Sequence, residues 1–314
     1  MEFGDSEEVL KALDNCLSRI KWRLRPSAKR RLEIDILSLL TGLRPVVMVD
    51  YGGKMPELGE HLCALLHLAR KEMTIFLQLK IMVIEDMIYI IHVKGLAEHA
   101  SLSLNFQPQL FFVDLEQDPP KMILHSEQSA ATLELVAIQK KFASLLPSNE
   151  DNAGPSLPKV PISTPKVESS DCDPHGYTNA GESSGFESSE PIDLSDIVKD
   201  TKITVPTLNG WLLGYPVVYL FSKDHVADAV YNLSTKYLHI YKILVCRKET
   251  SGRKSSEEEL MSFTVPYELS LRADKEPWAE TFLTCISAKL ESCRRVWMRL
   301  RMEVSECYPQ AIVL

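Results

Sequence analysis

The sequence lacks the short signatures by which many enzymes and metalloproteins can be read. It contains no CxxC pair and no HxxxH pair, which excludes a structural zinc site built on the usual short ligand loops. Neither GxxxxGK[ST] nor GxGxxG occurs, and Gly52-Gly53 has the spacing of neither phosphate-binding loop. No apolar run approaches the roughly twenty residues of a membrane span, and Met1 to Ser6 is acidic where a signal peptide would be basic and then apolar. Cysteine is sparse and odd in number, seven without regular spacing, and Cys16, Cys63, Cys285 and Cys293 fall within apolar helical patterns. Reduced, buried thiols are expected, in a soluble intracellular protein of the cytoplasm or nucleus.

What is present is a lopsided charge distribution. The 314 residues carry a net charge of −8. Between Pro147 and Asp200 eleven acids face three bases, so the rest of the chain is neutral. The same stretch holds seven of the eighteen prolines and ten serines, with no apolar period. Such a composition buries too little apolar surface to offset the entropy of ordering, so residues 147–200 are expected to be a disordered linker. Thr164, followed by Pro165, suits a proline-directed kinase, and Ser183, Ser184, Ser188, Ser189 and Ser195 lie among acids. Phosphates there would each add about two negative charges and offer a site to arginine clusters. An inert spacer is the alternative.

The flanking halves, 1–146 and 201–314, read as alternating helices and strands. Ser6-Glu7-Glu8 opens a helix that runs to Pro26, and a second follows from Ser27 to about Gly42, forming a helical hairpin. Pro45–Asp50 is a short strand, followed by the turn Asp50-Tyr51-Gly52-Gly53 and a helix over Pro56–Lys71, the opening of a βα unit. Ile81–Val93 breaks at Glu85-Asp86 and reads as a hairpin or two strands, with a single helix the competing reading, Leu110–Leu115 as a strand, and 126–146 as a helix. In the second half, Gly210–Phe221 (GWLLGYPVVYLF) joins two glycines, fit for a turn or a close approach, to an apolar strand begun by Pro216. A short helix over 224–233 and strands over Tyr237–Arg247 and Leu260–Tyr267 follow. A closing helix from Pro277 carries Phe282, Ile286, Leu290, Cys293, Trp297, Leu300 and Val304 at 3,4 spacing. The expectation is an α/β fold, with α+β the alternative: one composite domain around a single mixed β-sheet flanked by helices and interrupted by the linker. Two small domains remain open. Each half contains a Pro-Val-Val strand, which raises a diverged duplication without establishing one.

Candidate chemistry follows from strand ends. Asp50 and Asp114 end apolar strands and Glu85 lies at a strand break. In open α/β sheets ligands bind beyond the carboxyl ends of the strands, so these acids could converge as metal ligands or as an acid and base. Capping of the next turn is the alternative use of such residues. Trp211 and Tyr215 suit either an aromatic clamp or a packed corner. The basic run Arg19–Arg31 around Trp22, with Arg294, Arg295, Arg299 and Arg301, reads as an anion patch or as solvated helix faces. Leu62-Cys63-Ala64-Leu65-Leu66 fits an LxxLL docking motif, or the core face of its helix.

GWLLGYPVVYLF at 210–221, together with RPVVMVDYGG at 44–53, resembles a family of animal proteins of uncharacterised function, whose human member carries only a chromosome 1 open-reading-frame name. The resemblance covers both halves but not the linker, and it implies no activity, ligand or catalytic residue. The expected function is therefore non-catalytic protein interaction or regulation through a phosphorylatable linker, with protein partners and without nucleic acid, membrane, cofactor or resident metal. The alternative is an enzyme or small-ligand binder near Asp50, Asp114 and Trp211.

Overall fold

Pro26 begins a helix rather than ending one, because its fixed φ and missing N–H suit the first helical position. In the computed structural model, which describes residues 6–105, 110–124, 130–145, 190–248 and 257–312, α1 (Ser6–Arg19) stops short and α2 (Pro26–Leu40) starts at that proline. The first half continues with β1 (Val46–Met48), α3 (Glu57–Glu72), β2 (Leu79–Ile84), β3 (Met87–His92), α4 (Val93–Leu104), β4 (Phe111–Asp114), β5 (Lys121–Leu124) and α5 (Ala130–Leu145). The second contains β6 (Ile192–Asp193), α6 (Asp196–Lys199), α7 (Val205–Leu212), β7 (Val217–Leu220), α8 (Val226–Ser234), β8 (Leu238–Arg247), β9 (Glu257–Pro266), α9 (Pro277–Ser292) and β10 (Trp297–Cys307). Thr164, Ser183, Ser184, Ser188 and Ser189 lie outside the described residues.

The strands form three open sheets where one was expected. The first has the order β1-β3-β2-β6, antiparallel except for the parallel β2–β6 pair. Alternation along its strands divides the interior. Val47, Ile81, Ile88 and Ile90 face the helical layer of α1, α2 and α3, while Val46, Met82, Tyr89 and Ile91 join α4, α5 and α7 on the other side. The second sheet, β5-β4-β7, pairs β7 of the second half in parallel with β4 of the first half, so the halves interlock. The third, β10-β8-β9, is antiparallel and covered by α9 through Tyr241, Phe263, Trp278 and Phe282. Strand length explains the division: β1, β4 and β7 span three or four residues, enough for local ladders but not for a sheet continuous with the ten-residue β8 and β9.

Three further expectations change. The closing helix ends at Ser292, and Trp297–Cys307 is a strand paired along β8. Leu300, Met302 and Val304, which pack against the core, alternate with Arg299, Arg301 and Glu303, a period of two that the 3,4 spacing of Cys293, Trp297, Leu300 and Val304 masks. Regular structure returns well before residue 200. Ile192-Asp193 pairs with β2, the Leu194 N–H donates to the Val83 carbonyl at 2.9 Å, and Ile197 and Val198 are buried. Trp211 lies in α7 rather than at the mouth of a strand. Gly210 lets that helix press onto β7, since a Cβ there would stand 2.9 Å from Val218 Cγ1.

The described residues on the two sides of segment 148–188 make one compact unit. Among them no helix is long and apolar enough to cross a membrane, and the six described cysteines are free. The order helix, strand, helix, strand, strand, helix occurs twice, as α2-β1-α3-β2-β3-α4 and as α7-β7-α8-β8-β9-α9. Strand pairing differs between the two passages, for β1 joins β3 whereas β7 joins β4.

Candidate functional site

Both passages begin with the same backbone device. A helix ending in an L-residue can turn sharply only by entering the left-handed region, where glycine bears no Cβ penalty. α2 ends this way at Gly42 (φ 73°) and α7 at Gly214 (φ 75°). The residue before each proline then donates its N–H back to the helix, Arg44 to the Ser38 carbonyl at 3.1 Å and Tyr215 to the Gly210 carbonyl at 3.0 Å. Pro45 and Pro216 start β1 and β7 one residue later.

The two corners face one cavity of about 400 Å³, closed by α4, α9 and the residues leading into β4. Its wall is mainly apolar, with Leu110, Phe111, Leu213, Met261, Phe282 and Ile286 among the lining. β1, β4 and β7 all start at it, while α4 and α9 flank it along their lengths, from His92 to Ser103 and from Pro277 to Lys289. The cavity thus lies at the amino ends of the strands, not at the carboxyl ends where the sequence suggested a site.

Of its polar residues, Arg44, Ser103 and Trp278 are buried, His92, His99 and Tyr215 are half-buried, and Glu98, Thr281 and Lys289 are exposed. Arg44 is 3% exposed; its Nη1 donates to the Leu260 carbonyl at 3.0 Å and stands 3.9 Å from Asp35, while its Nε has no partner. Asp35 on α2, fully buried, accepts from the Tyr51 hydroxyl at 2.8 Å and from Arg31 Nε at 3.2 Å. Burial pushes the Asp35 carboxyl above the usual carboxylate range against the pull of Arg31 and Arg44. Burial also lowers Arg44 from its ordinary value, though a guanidinium stays charged in proteins. Trp278, 5% exposed, packs on Tyr241 at 5.0 Å and leaves its Nε1–H without an acceptor.

His99 is half-buried, and the cavity is bordered by its ring. Its Nε2–H donates to the Trp211 carbonyl at 2.8 Å, the ring stacks on Trp211 at 5.4 Å, and burial pushes its pKa down to about 4, so it is neutral. Trp211 stands behind this wall, fully buried. It donates from Nε1 to Ser103 Oγ at 2.9 Å and meets Phe142 edge-on, so it is a packed support rather than a clamp. Glu98 and Lys289 lie at the exposed rim.

The acids singled out from the sequence lie on three separate turns. Asp50 is exposed after β1; Asp114 accepts the Glu116 N–H at 2.9 Å; Glu85, exposed at the β2–β3 tip with φ 52°, donates its N–H to Ser195 Oγ at 2.8 Å. Among the described residues no group of three or more His, Cys, Asp or Glu could hold a metal ion. Arg23, Arg25 and Arg31 border a shallow hollow with Gly52 and Gly53, while Trp22 donates to the Gly52 carbonyl at 2.7 Å. Leu62, Leu65 and Leu66 of the LxxLL pattern are core. Of the flagged aromatics, Tyr215 lines the cavity. Arg44, His99 and Trp278 escaped the sequence reading. For Arg44 a signal existed, since a lone arginine between an apolar helix and an apolar strand has few exposed places to go.

Over residues 14–314 the chain matches the sequence model of a family described as a domain of unknown function (DUF4504). No curated protein and no solved structure matches it. The chain belongs to the DUF4504 family.

Proposed function

We propose that this DUF4504 protein binds a small molecule in the cavity between its two glycine-proline corners. The observation that carries the reading is the cavity itself, about 400 Å³ with a mainly apolar lining and a few polar residues, Arg44, His99 and Tyr215 among them. An apolar cavity with a few convergent polar groups is the usual form of a ligand site. This moves the small-ligand alternative from the neighbourhood of Asp50 and Asp114 to the opposite ends of the strands. The test is a screen of amphipathic fragments by saturation-transfer NMR on the wild type and on Ile286→Trp, which fills the cavity. Fragments that bind the wild type and lose binding in a variant with unchanged far-ultraviolet dichroism support the reading. Fragments that bind both proteins equally place the site elsewhere and overturn it.

The interaction and regulatory reading is favoured by a different observation. Ser195 Oγ accepts the Glu85 N–H at 2.8 Å and donates to Asp193 Oδ1 at 2.6 Å, pinning β6 and α6 to the edge of β2. A phosphate on Ser195, beside Asp193, Asp196 and Glu85, would repel its neighbours and free that edge, the kind of surface a partner strand can extend. Ser195→Glu should then speed amide exchange over Met82–Ile84 more than Ser195→Ala does. Equal rates in the two variants would remove the regulatory reading at this position.

A further inference from the structure

The third sheet is closed along one edge and open along the other. On β9 the outward carbonyls are taken: Arg31 Nη1 donates to that of Glu259 at 2.7 Å, Arg44 Nη1 to that of Leu260 at 3.0 Å, and the Tyr219 hydroxyl to that of Thr264 at 3.0 Å. β10, at the other edge, pairs with β8 alone among the described strands. Among the described residues no backbone group of 298–306 bonds to backbone outside that ladder. After Cys307 the chain leaves toward β8, where Tyr308 packs on Tyr237 at 5.5 Å. Nor is the edge blunted: β10 is 11 residues long, contains neither proline nor lysine, and has its one register shift at its start, between Trp297 and Arg299. A strand of that length with free N–H and C=O groups is a template for another strand.

We propose that the strand it accepts is β10 of a second copy of this chain, in an antiparallel pair centred on Met302 that joins two three-stranded sheets into one of six. The order of charge along β10 selects that occupant. Its first half is basic, with Arg299 and Arg301, and its second half acidic, with Glu303 and Glu306. An antiparallel copy therefore sets basic half against acidic half, the self-complementary arrangement that a two-fold contact requires.

The two faces of the strand then fix the register. Leu300, Met302 and Val304 pack against the core, so Arg299, Arg301 and Glu303 lie on the opposite face. Like faces must meet across the pair, which leaves registers that differ by one-residue steps of the two-fold axis. With the axis at Met302, Arg301 stands opposite Glu303 of the second copy, twice by symmetry, and Arg299 stands opposite Ser305. An axis at Arg301 or at Glu303 would set that residue against its own copy, and one at Leu300 would set Arg299 against Arg301. Like charges directly opposed destabilise a strand pair. Glu257 holds Arg301 from across β8, accepting from its Nε at 2.8 Å, so the second Glu303 arrives from the other side. On the core face the same axis lays Leu300 on Val304 and Met302 on Met302, apolar side chains that are only half-buried within one chain.

The test is sedimentation velocity of the full chain at low salt over a micromolar to submillimolar series. A contact of one strand pair lies at the small, transient end of protein interfaces, so the wild type should pass from monomer to dimer within that series. Arg301→Glu and Glu303→Arg each oppose like charges at two symmetric positions and should weaken self-association about tenfold or more. Mixed in equal amounts the two variants should associate at least as tightly as the wild type, because every opposed pair is then a glutamate and an arginine. A variant that had merely failed to fold would not recover on mixing. Met302→Cys leaves the charges alone and reports the register: on the axis its thiol meets its own copy and should form an intermolecular disulfide with copper phenanthroline in air. Leu300→Cys, about 14 Å from its copy, should cross-link no more than the wild type. A wild type that stays monomeric throughout the series overturns the proposal. So does a dimer that neither reversal weakens, or one whose mixed variants stay as weak as each alone, for it then forms through another face. Equal cross-linking from residues 300 and 302 overturns the register and the charge argument with it.

Discussion

The corner at Gly42 and the corner at Gly214 share a backbone and differ in chemistry. Each is a helix closed by a left-handed glycine, a residue that donates its N–H back to the last turn, a proline, and a Val-Val strand. The residue before the proline is Arg44 in one and Tyr215 in the other, and both line the same cavity. Arg44 belongs to a buried ion network that ties α2 to β9 through the Leu260 carbonyl. Tyr215 packs its ring on Phe263 at 5.5 Å. Glycine and proline stereochemistry dictate where the chain turns, while the one position between them is free to vary. A fold that uses such a corner twice can place two unlike side chains against one space.

Unequal substitutions should show that division most strongly. Arg44→Met removes one partner from a buried carboxylate that keeps Arg31 and Tyr51, and should lower stability by about 3 kcal/mol in urea denaturation. Tyr215→Phe retains the ring on Phe263 and should stay within about 0.5 kcal/mol of the wild type. Equal losses at the two positions would break the contrast.

Acid should act on the second corner next. His99 supports α7 through the Trp211 carbonyl, and its pKa of about 4 lies below the ordinary value near 6.5. The folded state therefore prefers the neutral ring. Its contribution is complete above pH 6.5 and is lost as the pH falls toward 4, by roughly 2 kcal/mol at pH 5. His99→Gln should flatten this part of the pH profile of urea midpoints between pH 7.5 and 5. An unchanged slope would show that the ring does not control it.

Local features were legible where one residue type has one job. Gly214 and Pro216 marked the second corner, the Glu85-Asp86 break marked the β2–β3 hairpin, and the spacing of Leu62, Leu65 and Leu66 marked a core face. α4 went unread because its buried positions are Leu96, Ala100 and Ser103, two of them small and one polar, so its apolar period is faint. β10 was read as helix because both periods fit part of the stretch and only pairing with β8 decides between them. The partition into three sheets turns on β4 pairing with β7, more than a hundred residues apart, and no local pattern encodes that. The cavity was hidden for the same reason: its walls are contributed by α4 and α9, nearly two hundred residues apart. The strand-end rule pointed to Asp50 and Asp114, but the cavity in this fold lies where β1, β4 and β7 begin.

The smallest effect tests the likeness itself. A Cβ built at Gly42 or at Gly214 meets nothing within 4 Å, so neither glycine is needed for space. What each supplies is a positive φ, 73° and 75°, which a side chain adopts at a penalty of about 1 kcal/mol. Gly42→Ala and Gly214→Ala should therefore destabilise by about that amount each, and equally, although the first corner carries an extra residue, Leu43, before its closing bond. Gly→Asn at either position should recover part of the loss, because asparagine tolerates the left-handed region. If Gly42→Ala were several-fold costlier than Gly214→Ala, the likeness would extend to chain direction only, and the ion network on Arg44 would have to be coupled to the backbone of its corner. Equal, small losses would mean that the turn and the chemistry are separable, so that the residue before each proline can be exchanged to alter the cavity while the corner stays folded.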